Sequence, residues 1–206
     1  MRKIRCDKIE TNSYVDGVGR RTVIFLQGCP IHCEGCQNKD LWGSDGGFSV
    51  DVASLAVETK AQDGYNGNVT ISGGEPFAQK DSLLELIQDL KGIGVQHIIV
   101  YTGYSYEELI QDRTAYEIFK YIDILVDGKY IKELDDDMLV YRGSRNQRPI
   151  NVKESTQDNI VLEDWDNPEI VITPDGNVII PLGLATTFDE IGKFGVMRMC
   201  GQTKEV

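Results

Sequence analysis

Residues 25 to 38 read FLQGCPIHCEGCQN and set Cys29, Cys33 and Cys36 in a C-x3-C-x2-C pattern. Thiols spaced this closely admit three chemistries. They can bind a structural zinc, with His32, Cys6 or Cys200 completing the ligand set. They can lie buried and inert. They can also hold a [4Fe-4S] cluster, one thiolate per iron, with one iron left without a protein ligand. Structural zinc sites usually come as two ligand pairs, and the chain has no second C-x2-C and no H-x3-H. His32 lies directly beside Cys33, an awkward place from which to bind the same metal. Pro30, His32 and Glu34 make the loop too polar for buried thiols. The spacing favours the cluster, whose open iron can take a small molecule as the open position of a catalytic zinc does. Cys6 and Cys200 have no partner motif and read as free thiols.

A second segment, SGGEPF (Ser72 to Phe77), pairs glycines that let a ligand approach the backbone with Pro76, which stiffens the exit. Alone it reads equally well as a turn. Both segments follow apolar runs. TVIFLQG (Thr22 to Gly28), NVTISGG (Asn68 to Gly74), HIIVYTG (His97 to Gly103) and DILVDG (Asp123 to Gly128) each predict a buried strand running into glycine. Helical patterns lie between them: SVDVASLAVETKAQ, DSLLELIQDLKGIG and EELIQDRTAYEIFKY. In the second, Leu83, Leu84, Ile87 and Leu90 recur at helical spacing, Asp81 or Ser82 caps the start, and Gly92 or Gly94 ends it.

Strands alternating with helices predict an α/β fold with parallel strands and right-handed crossovers. Sites in such folds sit at the carboxyl ends of the strands. The segments QGCPIHCEGC, SGGEPF, YTGY and VDGKY then converge on one mouth. Beyond about residue 150 the alternation stops, and a β-hairpin is predicted from Ile170–Thr173 and Asn177–Ile180, turned by Pro174, Asp175 and Gly176. The chain divides into a core, residues 1–151, and a C-terminal β-containing extension, residues 152–206, packed on it. ELDDD (Glu133 to Asp137) reads as a solvated loop.

At 206 residues, with 41% hydrophobic and 26% charged residues, the chain suits one domain with an appendage and argues against wholesale disorder. No run of about 18 apolar residues could span a bilayer, and MRKIRCDKIE is no secretory signal, so the reading is a cytoplasmic protein. Lys and Arg number 21 against 33 Asp and Glu, for a net charge of -12, which disfavours nucleic acid and anionic lipid as partners. Five cysteines, three of them within eight residues, fit a reducing compartment better than a disulfide framework.

The cysteine loop after a first strand, followed by SGGEPF, resembles the radical S-adenosylmethionine (SAM) enzymes. Further blocks narrow the likeness. DGVGRR (Asp16 to Arg21), LW (Leu41, Trp42), VYTGYSYEEL (Val100 to Leu109), DILVDGKY (Asp123 to Tyr130) and YRGSRNQR (Tyr141 to Arg148) resemble, in order, blocks of the anaerobic ribonucleoside-triphosphate reductase activating proteins. That resemblance implies a partial (β/α) barrel, one [4Fe-4S] cluster on Cys29, Cys33 and Cys36, and SAM on the open iron. It implies SAM contacts from Gly35, Cys36, Gln37, Gly74 and Glu75, with Asn38 a further candidate and Trp42 as cover for the cluster. SAM would be split into methionine and a 5'-deoxyadenosyl radical, which takes hydrogen from a glycine Cα near the C-terminus of the reductase large subunit. A low-potential donor such as flavodoxin or ferredoxin would supply the electron. His97 reads as structural, since no general acid or base is needed. Gln37 departs from the family pattern, which has an aromatic residue there. The alternatives are an activase of another glycyl-radical enzyme, a small-molecule radical SAM enzyme, and a zinc-stabilised interaction module.

Overall fold

The computed structural model describes residues 2–165 and the strand segments 171–172, 177–179 and 196–198. Four strands form the centre of the sheet: β2 (Arg21–Leu26), β4 (Asn68–Gly73), β5 (His97–Tyr101) and β6 (Ile124–Asp127). They are parallel to one another in that order. Three strands flank them: β1 (Lys3–Ser13) and β3 (Phe48–Asp51) on one side, β7 (Arg148–Asn151) on the other. The order is β3-β1-β2-β4-β5-β6-β7, and each flanking contact is antiparallel. Parallel pairing thus holds for the four predicted strands, while the sheet as a whole is mixed.

Helix α1 (Val52–Ala61) starts later than the apolar pattern implied, because Phe48–Asp51 pairs with β1 as a strand. Helix α2 (Lys80–Gly92) buries Leu83, Leu86, Ile87 and Leu90, each burial contributing about 1.5–3 kcal/mol. Leu84 is only partly buried, and Ser82 donates to Lys3 O (2.7 Å) instead of capping. The third predicted helix is two, α3 (Tyr106–Leu109) and α4 (Arg113–Phe119). Asp112 interrupts them because its carboxylate accepts from Thr114 and Ala115 N–H, capping α4.

The sheet has two covered faces. Ile24, Leu26, Val69, Ile71, Ile98, Val100 and Leu125 point to the core shared with the helices. The alternate residues Ile99, Tyr101, Ile124 and Val126 face Val140, Tyr141 and Trp165 on the other side. At the amino ends Arg21 is buried and donates to Thr70 Oγ1 (2.6 Å), Val69 O (2.6 Å) and His97 O (3.2 Å), stitching three strands together. His97 therefore sits at the end of the sheet opposite the cysteines, and burial lowers its imidazole pKa.

After β7 the chain turns back, Asn151 N–H bonding Val161 O (2.9 Å) and Glu163 N–H bonding Pro149 O (2.8 Å), which carries Trp165 onto the sheet. A separate three-stranded antiparallel sheet contains β8 (Val171–Ile172), β9 (Asn177–Ile179) and β10 (Val196–Arg198). Strands β8 and β9 pair as the predicted hairpin does; its turn, Pro174 to Gly176, and Cys200 lie outside the described residues. No helix among the described residues is long and apolar enough to cross a membrane.

Candidate cluster and SAM site

The cysteine loop leaves the carboxyl end of β2, and two neighbouring segments hold its base. Gly28 N–H bonds Leu41 O (2.8 Å) and Cys29 N–H bonds Trp42 O (3.1 Å). On the other side Gly74 N–H bonds Leu26 O (2.7 Å) and Glu75 N–H bonds Gly28 O (2.8 Å). A Cβ on Gly74 would lie 2.3 Å from Gly28 O, so glycine here allows two backbones to abut.

Cys29, Cys33 and Cys36 are half-buried free thiols. Burial pushes the Cys33 thiol up; the Tyr130 backbone N–H, bonded to it, pulls it down, and Cys36 and Cys29 are close enough to add to the rise. The three sulfurs are thus electrostatic neighbours in a partly covered loop. Among the described residues no group of three or more His, Cys, Asp or Glu side chains is set to hold a single metal ion. A cube takes one thiolate per iron, so three half-buried thiols in one loop fit a [4Fe-4S] cluster with one iron left open. His32 is exposed and stacks on Trp42, with ring centroids 4.6 Å apart, which gives it a packing role in the loop.

Gly35 adopts φ +82°, and a Cβ there would come 3.1 Å from Tyr130 Cε1. Gln37 is exposed and Asn38 half-buried in the turn after Cys36. The Glu75 carboxylate is buried and faces the β5 ending. It accepts from Phe77 N–H (2.9 Å), Thr102 Oγ1 (2.9 Å) and Gly103 N–H (2.7 Å). Burial lifts its pKa to about 7, against the pull of those three donors. Glu75 thereby joins the β4 and β5 endings.

The β6 ending closes the mouth. Asp127 is buried, accepts from Tyr106 N–H (2.7 Å), and pairs with Arg148 (2.9 and 2.5 Å), which also pairs with Glu107 (3.0 and 2.7 Å). A cleft of 530 Å³ opens between Ile31 of the cysteine loop, Gly103 and Tyr104 after β5, and Lys129 after β6. That volume is in the range of small-molecule sites. The four predicted endings do meet at one mouth. The sequence reading assigned no individual role to Thr102, Gly103 or Tyr130; the signals for them were a polar segment after a strand and a place in two of the family-like blocks.

A family model for the 4Fe-4S single cluster domain matches residues 15–150. The anaerobic ribonucleoside-triphosphate reductase-activating protein of Enterobacteria phage T4 is 34% identical over 148 residues, covering 69% of this chain and 90% of that protein. The protein of the same name from Haemophilus influenzae is 35% identical over 139 residues, covering 65% and 88%. A pyruvate formate-lyase-activating enzyme of Clostridium pasteurianum is 32% identical over 174 residues, covering 82% and 69%. A crystal structure of QueE from Escherichia coli superposes with a TM-score of 0.43 at 24% identity, over 49% of this chain and 52% of that one. On the matched domain and the coverage of its relatives, the chain belongs to the anaerobic ribonucleoside-triphosphate reductase-activating proteins, radical SAM enzymes that use a [4Fe-4S] cluster and S-adenosylmethionine.

Proposed function

We propose that Cys29, Cys33 and Cys36 hold the cluster, that Gly35, Cys36, Gln37 and Gly74 line SAM, and that Glu75 serves that site through its bonds to the β5 ending. The substrate is a glycine Cα near the C-terminus of the large subunit of an anaerobic ribonucleoside-triphosphate reductase. Bound there, the cluster would pass one electron from the donor to SAM, which would leave as methionine and a 5'-deoxyadenosyl radical able to take hydrogen from that glycine. The chain's own part is placement. Backbone bonds from Gly28, Cys29, Gly74 and Glu75 brace the cysteine loop against two neighbours. The Tyr104 and Ile31 side of the cleft supplies apolar cover beside it. Holding the reacting carbon close to the glycine governs the rate.

The observation that carries this reading is three free, half-buried thiols in one loop at the carboxyl ends of parallel strands. The parallel strands and the helices between them support a partial (β/α) barrel within residues 1–151. The same reading takes residues 152–206 as a C-terminal extension, with a low-potential electron donor such as flavodoxin or ferredoxin and a place in the cytoplasm. The pyruvate formate-lyase-activating relative, which spans 82% of this chain, supports a second reading in which another glycyl-radical enzyme is the target.

The test mixes reduced, reconstituted protein with SAM and each candidate partner and looks for a glycyl radical by electron paramagnetic resonance. A signal on the ribonucleotide reductase is expected. A signal on pyruvate formate-lyase alone would transfer the assignment to the second reading. Cys33→Ala is expected to lose both the cluster and SAM cleavage while keeping the melting behaviour of the apo-chain; retained cleavage would refute the ligand set.

A further inference from the structure

Side chains as well as backbone close the cysteine loop at its base. Residues Lys39–Leu41 make one 3-10 turn, in which Leu41 N–H bonds Asn38 O and Trp42 N–H bonds Lys39 O. The next four carbonyls, Asp40 to Gly43, are taken from outside the turn by three consecutive residues. Gln27 Nε2 donates to Asp40 O (3.3 Å) and Gly43 O (2.7 Å), Gly28 N–H to Leu41 O (2.8 Å) and Cys29 N–H to Trp42 O (3.1 Å). Carbonyls at the end of a short helix need such partners. Gln27 is buried, and a Cβ on Gly46 would lie 2.6 Å from its Nε2, so the chain closes tightly over the amide. Gln79, the last residue of the 3-10 turn Pro76–Gln79, holds Gln27 in its place. Its Nε2 donates to Gln27 O (3.1 Å) and Arg5 O (3.1 Å), and its Oε1 accepts from Arg5 N–H (2.8 Å). Gln27 N–H itself bonds Arg5 O (3.1 Å), so β1, the cysteine loop and the segment after SGGEPF meet at two amides.

We propose that Gln27 and Gln79 are positioning residues for the cluster: Gln27 ties the leg of the cysteine loop that returns after Cys36 to the leg that leaves β2, and Gln79 fixes Gln27 to β1. This rests on Cys29, Cys33 and Cys36 being the cluster ligands. Both acceptors of Gln27 Nε2 are carbonyl oxygens, which an amide can serve and a carboxylate cannot. A loop whose two legs are fixed beforehand loses less conformational freedom when it takes up the cluster, and residues behind metal ligands govern how firmly the metal is held.

The experiment loads the native chain and three variants with iron and sulfide without oxygen, SAM or reductase, and follows iron release to a chelator by the loss of visible absorbance. Amide exchange is measured on the same proteins before loading. Gln27→Met keeps the length of the side chain and removes both donors. Gln79→Glu keeps the acceptor for Arg5 N–H and removes the donor to Gln27 O. Asn66→Ala is the control: Asn66 Nδ2 donates to Arg20 O (2.6 Å) at the amino ends of the strands, away from the loop. Both glutamine variants are expected to release iron about tenfold faster than the native protein and to exchange the Gly28 and Cys29 amides about fivefold faster. Asn66→Ala is expected to lose stability in urea yet release iron at the native rate. If Gln27→Met does not fold, Gln79→Glu decides alone. Native iron release, or native exchange of those amides, overturns the proposal and leaves the ligand assignment standing. Equal acceleration in Asn66→Ala also overturns it, since general loss of stability would then be the cause. A native chain that assembles no cluster overturns both the proposal and the ligand assignment.

Discussion

At the scale of single residues, the cysteine spacing favoured a cluster over zinc, while Glu75 gains a second role in three dimensions. Its place in SGGEPF suggests a SAM contact, but its carboxylate is occupied by Phe77, Thr102 and Gly103. Burial lifts its pKa from 4.5 to about 7. Between those values the unfolded chain holds fewer protons than the folded one, so the group's contribution to stability is greatest below pH 4.5 and declines as pH rises to about 7. Glu75→Gln cannot ionise and removes that decline. In urea melts from pH 4.5 to 7, native stability is expected to fall more steeply with rising pH than that of Glu75→Gln. Equal slopes would mean that the carboxyl keeps its ordinary value. Gly74 was read as a glycine that lets a ligand approach, and the neighbour that its missing Cβ accommodates is Gly28 O; its contact with SAM belongs to the proposal.

At the scale of elements, the four parallel strands and the helices between them were legible because each carries its own periodicity. The break between α3 and α4 was not, because the apolar pattern runs through it and the capping carboxylate of Asp112 decides against it. YRGSRNQR was legible as a family block but not as a clasp on the β6 ending. Its last residue, Arg148, bridges a buried carboxylate and an exposed one, Asp127 and Glu107. Arg148→Ala leaves Asp127 buried without its ion pair and is expected to cost about 3 kcal/mol in urea denaturation. Glu107→Ala, on the solvent side of the same arginine, is expected to cost under about 1 kcal/mol. Similar losses from both would show that burial of Asp127 is not what matters.

At the scale of the whole molecule, the sheet needs cover on both faces, and its helices supply one. The other is covered by Val140, Tyr141 and Trp165, the last contributed by residues beyond the predicted core boundary at 151. Trp165 packs edge-on against Tyr141 with centroids 5.1 Å apart. Trp165→Ala is expected to cost about 3–5 kcal/mol by opening a cavity over Ile99, Tyr101 and Val126, read from the denaturation midpoint. A loss below about 1 kcal/mol would mean that the segment contributes little to the core.

The sequence by itself determined the cysteine motif and the order of the central strands and helices, because spacing and apolar period are local properties of the chain; the family followed from the resemblance of several blocks in order. Only the tertiary structure decided that the flanking strands run antiparallel, that Glu75 joins two strand endings, and that Gln27 and Gln79 close the base of the cysteine loop. Each of those depends on which distant backbone groups are left needing a hydrogen-bond partner once the chain has closed, and no local pattern records that pairing.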